Sequence, residues 1–250
     1  MSLSHPSPNF GERRGGARVE LVVLHYTAMP SCADALERLC DPLAEVSAHY
    51  LIDGDGTLLS LVDERARAWH AGAGEWRGVG DVNSRSVGIE LANTGREPFA
   101  EPQMAALERL LVGVLERHGL GPGAVIAHSD MAPDRKGDPG GRFDWRRLAL
   151  QGLSVWPGLD LSGSPSPQPS PQWGEGSARG LADLPDDQST EQAFLADLRV
   201  FGYPEAAPES LLSAFRLRFR PWATGPLDDT DRALAAGLRR IAVDARRMDA

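Results

Sequence analysis

Apolar and polar positions in residues 1–160 are grouped in blocks that read as interleaved strands and helices. Residues 19–25 (VELVVLH) form a near-continuous apolar run after a Gly/Arg-rich lead-in, the pattern of a strand buried on both faces, with His25 at its C-terminal end. Ser31 is placed to cap a short helix that runs to about Cys40 and is stopped by Asp41 and Pro42. Residues 47–52 and 57–62 are β-prone, and Asp53, Gly54, Asp55 and Gly56 between them predict a hairpin. A Gly-rich loop over 71–85 leads to another strand at 86–93 (SVGIELAN). From 101 to 118, Met104, Leu107, Leu110, Leu111, Val114 and Leu115 recur at helical spacing, and Gly119 follows as a stop. Residues 125–128 predict a short strand, and 129–143 a Pro/Gly/Asp-rich loop.

The pattern then changes. The stretch SGSPSPQPSPQWGEGSARG alternates Pro and Ser without apolar periodicity, so 161–188 is expected to be an extended linker. Beyond it, helices are expected at 190–201, 209–219 and 228–240. The predicted organisation is one domain over 1–160, the linker, and a small helical domain over 189–250, which lies near the lower size limit for independent folding. The fold class is α/β: a mixed central β-sheet flanked by helices, plus a small all-α C-terminal domain.

Composition narrows the chemistry. The 250 residues are 42% apolar and 24% charged, an ordinary globular balance. The net charge of −9 divides into 16 basic against 22 acidic residues up to Asp160 and 10 against 13 after it, so neither part offers a nucleic-acid footprint. Lys136 is the only lysine among 26 basic residues, and all six histidines precede residue 129. Cys32 and Cys40, on one helix, would be separated by roughly 12 Å of rise, too far for a disulfide. No uncharged apolar run is long enough to span a membrane, and residues 1–16 lack a signal-like apolar core. The expected compartment is therefore the cytoplasm, with the periplasm or cell envelope as the alternative. Oligomeric state is not fixed by the sequence.

Three polar residues stand where apolar strands make them costly: His25 after VVL, Glu90 inside VGIEL, and His128 after VIA. With Asp138, ten residues beyond His128, they offer a His-His-Asp set, and three protein ligands plus an open position is the form of a catalytic zinc site. Spacing alone leaves open a metal-free acid–base site or structural histidines.

The segments LVVLHYTAM, VSAHYLIDGDGTLLSLV, RAWHAG, EWRGVGDVNSRSVGIELANTG, VIAHSDMAPDRKGDPG and RFDWRRLA carry more than spacing. In this order they resemble the type-2 zinc-dependent N-acetylmuramoyl-L-alanine amidases, a class related to phage T7 lysozyme and the peptidoglycan recognition proteins. The resemblance covers about residues 8–157, and 189–241 more loosely resembles the small helical peptidoglycan-binding module of one branch. It implies a single Zn2+ held by His25, His128 and Asp138, with Glu90 as catalytic glutamate and Lys136 as catalytic lysine. The implied activity is hydrolysis of the amide between the lactyl group of N-acetylmuramic acid and L-alanine, in peptidoglycan or anhydro-muropeptides, during wall turnover or recycling. A non-catalytic peptidoglycan-recognition protein of the same fold is the alternative. Implied partners are peptidoglycan fragments or the cell wall, without nucleic acid or a membrane span.

His49 and His70 are candidates for substrate contact or support of the site, and equally for buried structural roles. Asn83 and Arg85 are candidates for shaping the loop before Glu90 or touching the peptide stem. Trp69 is expected in the core. Asp53–Gly56 lacks the twelfth-position glutamate of a calcium loop and reads as a turn, and no Gly-Lys-Ser/Thr marks a phosphate loop.

Overall fold

A computed structural model describes residues 2–158 and 187–248. All but the last two residues of the expected linker lie outside that range. The chain opens with two short strands, β1 (Leu3–Ser4) and β2 (Phe10–Gly11), followed by the buried strand β3 (Leu21–Tyr26) and helix α1 (Cys32–Cys40). A hairpin of β4 (Tyr50–Ile52) and β5 (Leu58–Ser60) comes next, then β6 (Arg67–Ala68), α2 (Val82–Arg85) and β7 (Ser86–Leu91). Helix α3 (Glu101–His118) precedes β8 (Val125–Ala127), α4 (His128–Met131) and α5 (Trp145–Leu150). The C-terminal helices are α6 (Asp187–Phe201), α7 (Pro208–Phe219) and α8 (Asp229–Met248).

Six strands form a mixed sheet in the order β1-β5-β4-β7-β3-β8, and β2 pairs with β6 separately. The central strands β4, β7, β3 and β8 are parallel, and β5 is antiparallel to β4. This is the expected mixed sheet. Leu21, Val22, Val23 and Leu24 are each at most 2% exposed, because β3 has a strand on either side and helices over both faces.

Side chains alternate between the two faces. Val22 and Leu24 of β3, with Val87, Ile89 and Leu91 of β7, pack against the apolar stripe of α3. Leu21, Val23 and Ile126 point the other way, into a cluster with Phe194, Leu198, Phe215 and Phe219 of the C-terminal helices. The helical segment is thus a layer of the same core, covering one part of the second face. Helix α1 covers another part through Ala35 and Leu39 on Leu51 and Leu59. The cleft described below lies between these two coverings.

Most boundaries follow their causes. Ser31 caps α1 by accepting from the Asp34 amide at 3.1 Å, and Gly119 closes α3 with a left-handed backbone at φ 64°. The predicted strand at 125–128 ends one residue earlier because the Asp130 carboxylate accepts the Ala127 amide and starts α4. Helix α8 continues past the expected residue 240, with Ala242 buried in the shared core. Cys32 and Cys40 are free thiols, as their spacing predicts. No helix among the described residues is long and apolar enough to cross a membrane.

Candidate active site

His25 is the penultimate residue of β3, and His128 follows β8, the neighbouring parallel strand. Both therefore emerge at the carboxyl edge of the sheet, where open α/β sheets place their ligands. Asp138 reaches the same point from the loop, and the Ser129 amide donates to its carbonyl at 3.0 Å, tying the loop to the turn after His128. His25 Nδ1 lies 2.9 Å from His128 Nδ1 and 2.9 Å from Asp138 Oδ2, and His128 Nδ1 lies 3.0 Å from the same oxygen. All three side chains are buried.

Two backbone carbonyls fix the protons of this triangle. His128 Nε2 is 2.9 Å from the Ala71 carbonyl, which can only accept, so Nε2 carries the hydrogen and Nδ1 presents a bare lone pair. The Ser86 hydroxyl donates to the Val82 carbonyl at 2.6 Å, so its oxygen accepts from His70 Nε2 at 3.1 Å. His70 Nδ1 must then accept from His25 Nε2 at 3.0 Å, which bares His25 Nδ1 as well. Burial, and then the neighbouring His128, push the His25 imidazole down to about 4, so it is neutral at pH 7. Asp138 Oδ2 faces both Nδ1 lone pairs, so in this assignment none of the three groups donates to another. Two imidazole lone pairs and a carboxylate converge with no proton between them, and only a cation satisfies such a set. Nitrogen and oxygen donors of this kind suit zinc.

Glu90 sits opposite His25 as its Cα partner in β7 and shares its face of the sheet. Its Oε2 is buried and has no hydrogen-bond partner among the described residues. Burial, and then the Asp138 charge, push the Glu90 carboxyl up to about 8, opposed by the charge of Lys136. Lys136 is exposed on the loop that carries Asp138, and both belong to one cleft of about 740 Å³ with His25, Glu90 and His128. The structure therefore brings together all five residues assigned from the sequence. It also retains the full set that a recognition-only protein would not need.

The other candidates separate. His70 lines the cleft and holds His25. His49, Asn83 and Arg85 do not line it. His49 is buried, with Nδ1 accepting the Gly88 amide at 2.9 Å. Asn83 Oδ1 accepts the amides of His70 and Ala71 at 3.0 and 2.8 Å, so it shapes the segment behind the site and is turned away from the cleft. Arg85 pairs with Glu20 and donates to the Trp76 and Val79 carbonyls. Trp69, expected in the core, is half-buried and lines the cleft, while Trp76 takes the core position. Sequence reasoning passed over Tyr26, which lines the cleft, and Ser86, which closes the His70 chain. Adjacency to His25 was a signal for Tyr26, whereas nothing local marked Ser86.

Residues 15–141 match the family model described as N-acetylmuramoyl-L-alanine amidase. The chain is 33% identical over 245 residues to N-acetylmuramoyl-L-alanine amidase AmiD of Escherichia coli, covering 88% of this chain and 82% of that one. It is 32% identical to 1,6-anhydro-N-acetylmuramyl-L-alanine amidase AmpD of Haemophilus influenzae, over 56% of this chain and 86% of that one. The structure of E. coli AmiD in complex with the substrate anhydro-N-acetylmuramic acid-L-Ala-D-γ-Glu-L-Lys superposes with a TM-score of 0.72 at 29% identity, covering 93% of this chain and 98% of that one. AmpDh3 of Pseudomonas aeruginosa in complex with anhydromuramic pentapeptide gives 0.69 at 27% identity, covering 95% of each chain.

Proposed function

The chain belongs to the N-acetylmuramoyl-L-alanine amidase family, and from that premise we propose how its cleft works and on what. It is an amidase, hydrolysing the bond between the muramoyl lactyl group and L-alanine. His25 and His128 through Nδ1, with Asp138 through a carboxylate oxygen, would hold one zinc ion. The observation that carries this is the proton assignment: the Ala71 and Val82 carbonyls leave both Nδ1 lone pairs bare towards Asp138. Zinc, when bound, supplies a Lewis acid that polarises the scissile carbonyl and acidifies water.

Burial pushes the Glu90 carboxyl up to about 8, and the positive charge of a zinc ion in the same cleft would favour its ionised form; Glu90 would then accept a proton from the attacking water and deliver it to the departing amine of L-alanine. Its buried, unpartnered Oε2 suits that task, because no other group competes for the proton. Lys136, exposed in the same cleft, would meet the negative charge that grows on the former carbonyl oxygen. Its compact ammonium does this without the fixed fork of an arginine.

The substrates proposed are soluble anhydro-muropeptides, by likeness to the ligands named for the two substrate-bound relatives. A chain acting on such fragments serves recycling in the cytoplasm, whereas one preferring intact wall serves turnover in the envelope. Rates on purified anhydro-muropeptide and on intact sacculi separate these roles: faster release from the fragment supports recycling, and faster release from sacculi overturns it. Elemental analysis of the purified chain tests the metal assignment, with about one zinc per chain expected and loss of that zinc in Asp138→Ala.

A further inference from the structure

Asp130 lies two residues beyond His128 and is fully buried. Its carboxylate accepts the Ala127 amide at 2.9 Å, the Tyr203 hydroxyl at 2.6 Å and an Arg218 guanidinium N–H. The other arm of Arg218 donates to the Val125 carbonyl and to the Ser154 hydroxyl, both at 3.1 Å, and the guanidinium stacks 4.2 Å from the centre of the Trp145 ring. Tyr203 follows α6 and Arg218 belongs to α7. The groups to which these two side chains donate hydrogen bonds lie in the amidase portion, and two of them, Val125 and Asp130, flank the strand end from which His128 projects.

A fully buried ion pair is poor value as a source of stability, since desolvation offsets most of its attraction and apolar replacements are often as stable. Its merit is geometric: the planar fork accepts only one arrangement of Asp130 and Val125. Both ends of β8 and its following turn are thus held by side chains from the C-terminal helices. We infer that these helices are a working part of the metal centre, with Tyr203 and Arg218 acting as positioning residues that fix Asp130 and so aim the His128 imidazole. This rests on the metal-binding reading of His25, His128 and Asp138.

A comparison within the same helices separates aiming from simple stability. Arg216 and Asp231 form an ion pair buried to a similar degree, but their contacts stay inside the C-terminal segment. The experiment uses the full chain as parent, Tyr203→Phe, Arg218→Lys and Arg216→Lys. Zinc affinity is read by competition with a chromophoric chelator, and ligand geometry by the absorption bands of the Co2+-substituted protein. Tyr203→Phe and Arg218→Lys are expected to weaken zinc binding about tenfold, the scale of lost outer-shell support, and to shift the Co2+ bands. Arg216→Lys is expected to lower the melting temperature while leaving affinity and spectrum at parent values. Parent-like affinity and spectrum in Tyr203→Phe, which only removes a hydroxyl and decides alone if Arg218→Lys does not fold, would overturn the inference. So would equal weakening in Arg216→Lys. A parent that binds no zinc instead overturns the metal reading itself.

Discussion

His25 and Glu90 face each other as in-register partners on the adjacent parallel strands β3 and β7, one strand spacing apart and on the same side of the sheet. The sheet itself therefore fixes the separation between a metal ligand and the proposed base. Neither residue depends on a flexible loop for its position. Lys136 and Asp138, in contrast, come from the loop and are brought in by its ties to the turn after His128.

Glu90→Gln keeps the shape of the side chain and removes the proton acceptor. It is expected to lower kcat by a factor of about 10²–10⁴ while the chain keeps its zinc. Steady-state rates together with metal analysis check this, and an unchanged kcat removes Glu90 from the mechanism.

Lys136→Ala is expected to cost about 10²–10³ in kcat, the scale of a lost oxyanion donor. Because the Lys136 side chain is exposed, the melting temperature should stay within about 2 °C of the parent, as for a surface substitution. A change confined to KM would assign Lys136 to substrate binding instead.

Gly88 gives room to His70. A Cβ at this position would overlap the His70 ring, which bears on His25. Gly88→Ala is expected to weaken zinc binding by tenfold or more, and Ser86→Ala by less, since it removes only the end of the chain. Titration with a competing chelator ranks the variants, and the reverse order contradicts the proton assignment.

His25, Glu90 and His128 were legible because each is a polar side chain in or at the end of an apolar run, where burial without a partner is costly. Asp138 entered through its place ten residues beyond His128, and the resemblance of the surrounding segments added Lys136 and the roles. Helix α3 was legible because its apolar stripe is long and Gly119 ends it. The two-residue strands Leu3–Ser4, Phe10–Gly11 and Arg67–Ala68 are too short to show a period, so no pattern announced them. His70 could not be narrowed to one role, because its proton is set through the Ser86 hydroxyl by the Val82 carbonyl, a backbone group that every residue possesses. The Arg218–Asp130 pair spans 88 residues of sequence and has no local signature. That pair also joins the C-terminal helices, which read as a separate module, to the sheet with which they share an apolar core.

Glu64 provides a pH handle away from the cleft. Burial raises its carboxyl, but hydrogen bonds from Arg117, Tyr50 and His118 outweigh this and bring it down to about 2 from 4.5. The stabilisation is complete above pH 4.5 and is lost as pH falls towards 2. With Arg117 half-exposed and screened, its worth is about 1 kcal/mol, or roughly 2–4 °C in Tm. Glu64→Gln should therefore melt below the parent at pH 6 and converge with it near pH 2.5, as read by thermal unfolding. A constant gap between the two would show that Glu64 is not the group being titrated.

The central claim, amide hydrolysis dependent on a metal held by His25, His128 and Asp138, is tested most directly by following release of the stem peptide from a purified anhydro-muropeptide before chelation, after it, and after adding zinc back. The account predicts activity in the native chain, its loss on metal removal, and its return with about one equivalent of zinc. Full activity in chain shown by elemental analysis to be free of metal would contradict it.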